Sequence, residues 1–150
     1  MPLPVMVKRL GYRVAYRLLR AYWFLLRPST NGVKCVLTNG DEVLLVRHTY
    51  GDRRWDLPGG ALRASEDPEQ AARREMAEEL GIELAGLRSL GALEARVDHR
   101  NDHLHCFHAE LNAPVIRLEL AELSAARWFP REQLPAQVAR FVKPILARAR

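Results

Sequence analysis

A mixed β-sheet with helices packed on it, an α/β (α+β) domain, is the fold class this sequence predicts. Three observations carry it. Short runs rich in β-branched residues alternate irregularly with helix-length runs, which suits a mixed sheet flanked by helices better than an all-helical bundle. The length of 150 residues suits one domain that buries roughly two-thirds of the surface its unfolded chain exposes. The apolar fraction of 48% and charged fraction of 27% are those of folded soluble proteins and exclude disordered, fibrous and collagen-like classes.

The first element is a helix from Val5 to about Leu26. It ends where Pro28, Ser29, Thr30, Asn31 and Gly32 break the pattern, so residues 1–31 read as a basic helix with its linker and residues 32–150 as the main domain. At 100° per residue, Arg9, Arg13, Arg17, Arg20 and Arg27 occupy a sector of roughly 80°. Most of the remaining circumference is Val7, Leu10, Val14, Leu18, Leu19, Tyr22, Trp23, Leu25 and Leu26. So wide an apolar face must be covered by the domain, a partner or lipid, and Gly11 costs about 1 kcal/mol of helix stability that packing has to offset. The apolar run Trp23–Leu26 is too short to cross a bilayer, and no small-residue cleavage site follows it.

Charge divides the same way. Residues 1–40 hold seven basic residues and no acid, which leaves the rest of the chain at a net charge of −2 although the whole carries +5. The pI therefore describes the extension more than the domain, and does not make the protein a general nucleic-acid binder. Cys35 and Cys106 stand inside strand-like runs without metal-site spacing. They read as reduced, buried thiols of a cytoplasmic protein.

Val33–Leu37 and Val43–Arg47 flank Thr38-Asn39-Gly40-Asp41, and Asn-Gly accepts the positive φ of a tight hairpin turn. Trp55-Asp56-Leu57 is a short strand ended by Pro58-Gly59-Gly60. Pro68–Leu80 is a helix: Asp67 can cap it, Pro68 suits its first position, Gln70 stands where a capping box wants an acceptor, and Gly81 closes it. Leu87–Val97 and His103–Leu111 are strands around a polar loop over 98–102, Ala125–Phe129 is another, and Pro135 begins a helix reaching Ala149.

The helix at 68–80 carries the chemistry. Glu75, Glu78 and Glu79 stand at i, i+3 and i+4, on one face. Three crowded carboxylates repel one another unless a cation sits among them, and a hard divalent ion is the natural one. Arg74 can give one carboxylate a bidentate contact and hold its rotamer. Magnesium keeps several waters and bridges carboxylates to phosphates, so the chemistry implied is phosphate chemistry. Such charge runs on their own are ordinary solvated helix faces.

The full spacing is more specific: Gly60, five residues, Glu66, seven residues, Arg74-Glu75-Met76, one residue, Glu78-Glu79, one residue, Gly81-Ile82. A chance match to it lies far below one in a million windows, on the order expected from average composition. It resembles the Nudix box at every specified position. Trp55–Gly60 before it, and Arg127-Trp128-Phe129 with Glu132-Gln133-Leu134 after it, resemble the same family, so the likeness covers roughly 32–134.

That resemblance implies an α/β/α sandwich around a mixed sheet, and a hydrolase that uses Mg2+, with Mn2+ as a substitute, to cut the pyrophosphate linkage of a nucleoside diphosphate derivative. Carried over, Glu75, Glu78 and Glu79 would ligate metal, with the Gly59 carbonyl as a further oxygen. Arg74 would orient Glu75, and Glu66 would brace the loop or reach the metal through water. The base that deprotonates water would be Glu75 or Glu79, then Glu122, which could also be a ligand; Glu94, Asp98 and Asp102 stay open. Arg47, Arg54 and Gly60 are the candidates for contacting substrate, and Tyr50 or Trp55 for stacking on a base. No proline lies between residues 83 and 112, where enzymes resembling ADP-ribose pyrophosphatases carry one, so a nucleoside triphosphate or nucleotide sugar is the expected substrate. Gln137 stands where guanine-reading relatives place an asparagine. The alternatives are an RNA 5′-end pyrophosphohydrolase and a nucleotide sensor that does not cut. Beyond the nucleotide, a homodimer through the N-terminal helix is the first partner expected, ahead of a nucleic acid or a membrane surface.

Overall fold

The computed structural model describes residues 3–26, 29–97 and 99–150. The elements are α1 (Leu3–Leu26), β1 (Ser29–Asn39), β2 (Glu42–His48), β3 (Trp55–Asp56), β4 (Gly59–Ala61), α2 (Pro68–Leu80), β5 (Arg88–Val97), β6 (Arg100–Glu110), β7 (Leu123–Pro130) and α3 (Val142–Arg148). All strands join one mixed sheet. β1 runs parallel to β6 from Ser29↔Asn101 to Thr38↔Glu110, and the other pairings are antiparallel.

The hairpin at Asn39-Gly40 forms with Gly40 at φ 58°. β1 and β2 then pair only at Thr38↔Val43 and Asn39↔Glu42 before they splay apart. Into that wedge comes the segment 55–61. β3 takes the edge of β2 at Val46 and Arg47, and β4 takes the edge of β1 at Gly32–Lys34. The glycine turn is thereby clamped between two strands.

Side-chain alternation gives the sheet two apolar faces. Val33, Cys35, Leu37, Leu44 and Val46 pack with Ala71, Ala72, Met76 and Leu80 of α2. Val36, Val43, Leu45, Trp55 and Leu57 pack with Val142, Ile145 and Leu146 of α3. The result is the expected α/β/α sandwich. Cys35 and Cys106 are free and buried, one on each face.

Several boundaries move. Ser29–Asn31, expected in the linker, belong to β1, because the parallel ladder with β6 supplies partners that outweigh turn propensity. The expected loop over 98–102 is shorter: Arg100, Asn101 and Asp102 pair with Val97, Arg96 and Ala95. The C-terminal helix does not begin at Pro135. Trp55 N–H donates to Gln137 O (2.9 Å) and Ala139 N–H to Trp55 O (2.7 Å), which ties Val138 beside Trp55 as an isolated bridge and delays the helix to Val142.

α1 packs unlike the other helices. It docks through an aromatic and arginine flank: Tyr12 and Tyr16 lie 6.1 and 5.2 Å from the Tyr50 ring, and Tyr16 meets Trp23 edge-on at 5.9 Å. Arg9 Nε donates to Leu120 O (2.7 Å) and Arg13 Nε to Thr49 O (3.2 Å). Trp23 is its one buried residue. The domain does not cover the apolar flank, since Leu10, Val14, Leu18, Leu25 and Leu26 are all exposed.

Candidate active site

α2 is held at both ends. Asp67 Oδ1 accepts from Glu69 N–H (2.9 Å), Pro68 opens the helix, and Gly81 at φ 65° ends it. With Met76 and Leu80 seated on the sheet, the helix cannot rotate. Its glutamates therefore emerge graded by depth: Glu79 is buried, Glu75 half-buried and Glu78 exposed.

The turn before α2 is shaped for close approach. A Cβ on Gly59, at φ 156°, would sit 2.0 Å from Val33 O, and a Cβ on Gly60 would sit 2.4 Å from the Glu75 carboxyl carbon. Only glycine lets this backbone pass between the splayed strand and the acidic helix.

Arg74 organises the acids. Its Nε and Nη2 clasp Glu66 (2.8 and 2.9 Å), Nη1 donates to Glu75 Oε1 (2.7 Å) and Glu78 Oε2 (3.2 Å), and Nη2 also reaches Ala61 O (3.1 Å). Glu66 accepts in addition from Arg63 N–H (2.9 Å), and these partners hold its carboxyl down at about 2. The loop, the helix and two of the three glutamates thus share one fixed guanidinium.

Glu79 lies outside that clasp. Burial, and then the charge of Glu75, push its carboxyl up to about 8. It accepts from Gly59 N–H, but its buried Oε2 has no hydrogen-bond partner. Burial also raises Glu75 despite Arg74. The nearby cation acting on Glu79 is Lys34, whose Nζ is engaged by Asp56 Oδ2 (2.6 Å) and Leu57 O (3.1 Å).

These groups open on a cleft of about 860 Å³ lined by Gly59, Gly60, Glu75, Glu78, Glu79, Glu122 and Tyr50, a volume suited to a nucleotide-sized ligand. Oxygen donors dominate the acidic wall, and an unsatisfied carboxylate oxygen in a buried position suits a hard divalent cation. Among the described residues no three His, Cys, Asp or Glu side chains converge into a closed metal site, because Glu75 and Glu78 turn toward Arg74. Magnesium needs no such cage, since waters and phosphate complete its shell.

Of the residues singled out in the sequence, Gly59, Gly60, Glu75, Glu78, Glu79 and Glu122 meet at the cleft, with Arg74 and Glu66 behind them. Arg47 and Arg54 do not reach it. Arg47 shares its strand face with Val43 and Leu45 and lies 4.5 Å over the Trp55 ring, on the α3 side of the sheet. Arg54 is exposed and pairs with Asp52 at 3.4 Å. Trp55 is buried against Phe129, and Gln137 is exposed beside it. Glu94 pairs with His103, Asp102 bonds Thr30 near the start of β6, and Asp98 lies outside the described residues.

Sequence reasoning missed the fourth wall of the cleft, which α1 provides through Lys8 and Tyr12, along with Glu119 from the loop before β7. The Tyr12 hydroxyl hydrogen-bonds the Glu122 carboxylate, which raises the pKa of the phenol. The available signal was the aromatic spacing 12, 16, 23, a stripe on one helical face beside the arginines.

A model described as the NUDIX domain matches residues 28–149. The chain is 34% identical over 101 residues, 67% of its length, to the NAD-capped RNA hydrolase NudC of Pseudomonas aeruginosa, and covers 36% of that protein. It is 31% identical over 99 residues, 63% of its length, to the ADP-ribose pyrophosphatase of Mycobacterium tuberculosis, covering 47% of it. The chain thus spans between a third and a half of these relatives. In three dimensions it is similar to a MutT Nudix hydrolase from Burkholderia pseudomallei, with a TM-score of 0.74 and 23% identity over 81% of this chain and 98% of the other.

Proposed function

Because the chain belongs to the Nudix family, we propose that it is a divalent-metal-dependent hydrolase that cuts the pyrophosphate linkage of a nucleoside diphosphate derivative. The observation that carries this reading is the unsatisfied, buried Glu79 Oε2 beside Glu75 and the Gly59–Gly60 turn, at the floor of the acidic cleft. Glu75, Glu78 and Glu79, with Glu122 and the Gly59 carbonyl as further oxygens, are the groups that would hold Mg2+ or Mn2+. When bound, such an ion neutralises the pyrophosphate and lowers the pKa of water.

The chain's own residues do the rest. Arg74 holds Glu75 and Glu78 in fixed rotamers, so little reorganisation is needed as charge develops. Gly60 lets the turn lie directly against the Glu75 carboxyl, which a side chain there would displace. Glu75 or Glu79 takes the proton of the attacking water, with Glu122 next in rank; the water oxygen bonds to phosphorus and the bridging oxygen departs with the leaving phosphate. Tyr50, in the cleft wall and packed on Tyr12, Tyr16 and His48, is the ring that would meet a base.

The substrate expected is a nucleoside triphosphate or nucleotide sugar. A second reading, an RNA 5′-end or dinucleotide substrate, is favoured by the name of the P. aeruginosa relative and by Lys8 at the rim. A panel holding triphosphates, nucleotide sugars, ADP-ribose, NAD and a capped oligoribonucleotide, with Mg2+, Mn2+ or chelator and products identified by mass, tests both. Mg2+-dependent release of a nucleoside monophosphate is expected. Activity on none of them, or full activity in chelator, overturns the hydrolase reading, whereas ADP-ribose as best substrate overturns the first preference. Activity confined to RNA ends and lost steeply with salt selects the second.

A further inference from the structure

We propose that α1 lies flat on an anionic phospholipid membrane, its outward face in the interface and the catalytic cleft held at the bilayer surface. α1 is inverted relative to an ordinary surface helix. Its inward flank is polar and aromatic, with Arg9 and Arg13 donating to backbone carbonyls of the domain. Its outward arc holds Leu3, Leu10, Val14, Leu18 and Leu25, of which Leu3, Leu18 and Leu25 are 72%, 68% and 76% exposed. At 100° per residue these five span about 80°, exposed Val7 lies among them and exposed Tyr22 widens the arc to about 120°, no charge lies within it, and Arg17 stands at its rim. An apolar face of that size in water marks an interaction surface.

Charge identifies the occupant. Residues 3–26 carry Lys8, Arg9, Arg13, Arg17 and Arg20 and no acid. Arg9 and Arg13 are turned to the domain, but a second copy meeting this face across a two-fold axis would still bring the flanking Lys8 and Arg17 of each helix together with no carboxylate on either helix to answer them. A bilayer bearing anionic headgroups answers both features, taking the leucines below the headgroups and the basic rim among the phosphates. No described helix is long and apolar enough to cross a membrane, so the helix lies in the plane of the interface, where 24 residues extend about 36 Å. Because Lys8 and Tyr12 also line the cleft, attachment fixes the cleft mouth near the lipid surface.

The test is co-sedimentation of the full chain with phosphatidylcholine vesicles and with vesicles that also contain phosphatidylglycerol. The variants are Leu10→Glu with Leu18→Glu, two outward positions that do not line the cleft, and Arg17→Glu at the rim. Partitioning onto the anionic vesicles at least about tenfold above the neutral ones, weakened by salt, is expected. The leucine pair should lower it by about tenfold or more and Arg17→Glu by a smaller factor, with helical circular dichroism preserved. Equal partitioning onto both vesicle types, no binding, or binding unchanged in the leucine pair overturns the proposal. So does a two-chain mass by light scattering without vesicles that the same variants reduce to one, since the face would then be a dimer interface.

Discussion

α1 and α2 wall the same cleft from opposite sides and obey opposite rules. α2 has 13 residues, caps at both ends, and an apolar side sealed on the sheet, so that its glutamates come out where the core allows. α1 has 24 residues and turns its polar and aromatic flank inward, leaving its leucines in solvent. The difference teaches that amphipathicity says a helix has two sides but not which side the domain takes. Depth follows the same contrast: burial perturbs Glu75 and Glu79 on α2, while α1 reaches the site through the tip of Tyr12.

The largest expected difference between the helices is in stability. Met76→Ala on α2 should cost about 2–5 kcal/mol because it empties a filled core position, whereas Leu18→Ala on α1 should stay within about 0.5 kcal/mol. Urea denaturation of the two variants checks this, and comparable losses would erase the contrast.

Next comes chemistry. Glu79→Gln, and likewise Glu78→Gln, should lower kcat by on the order of a hundredfold or more with the fold intact, since charge that stabilises the transition state is removed. Steady-state kinetics at saturating Mg2+ would read it. Near wild-type turnover would mean that α2's acids are structural.

Beside the seam, a buried histidine should make stability depend on pH. His48 packs its ring 5.2 Å from Tyr50, and burial lowers its pKa to about 4 from the ordinary 6.5. The unfolded chain therefore takes up a proton below about pH 6.5 that the folded chain refuses until about pH 4. The His48 contribution should be constant above pH 6.5 and fall between 6.5 and 4 by about 3 kcal/mol, superposed on the opposite slope of Glu79, whose raised carboxyl keeps its proton in the folded chain up to about pH 8. Thermal melts of wild type and His48→Gln across that window are the check: the variant should lose that contribution, and an unchanged slope would place its origin elsewhere.

The smallest effect sharpens the comparison most. Tyr12→Phe removes the hydrogen bond from α1 to Glu122, worth about 0.5–1.5 kcal/mol. KM should rise by about twofold to tenfold with kcat little changed. If α1 is not part of the working site, neither constant will move.

Much of α2 was legible because local rules suffice there. Asp67, Pro68 and Gly81 delimit the helix by capping chemistry, and the spacing of Glu75, Glu78 and Glu79 sets their shared face whatever surrounds them. Elements that depend on partners were not so legible. Ser29–Gly32 look like a turn until β6 lies beside them, and 135–141 look helical until Trp55 claims their backbone. Arg47 failed as a site candidate for a related reason, since alternation sends it to the α3 side of the sheet.

By itself the sequence determined the fold class, the acidic helix with its glycine turn, and the presence of a long basic amphipathic helix, all set by residue type and spacing within short windows. Tertiary structure alone decided three things. It buried Glu79 with an oxygen unsatisfied while Arg74 clasped its neighbours, because depth and hydrogen bonding depend on what packs from outside the helix. It brought Glu122 and Tyr12 together across 110 residues of chain. It also chose which flank of α1 faces inward, because the docking energy comes from Tyr50 and the Thr49 and Leu120 carbonyls, groups that no local pattern in α1 can anticipate.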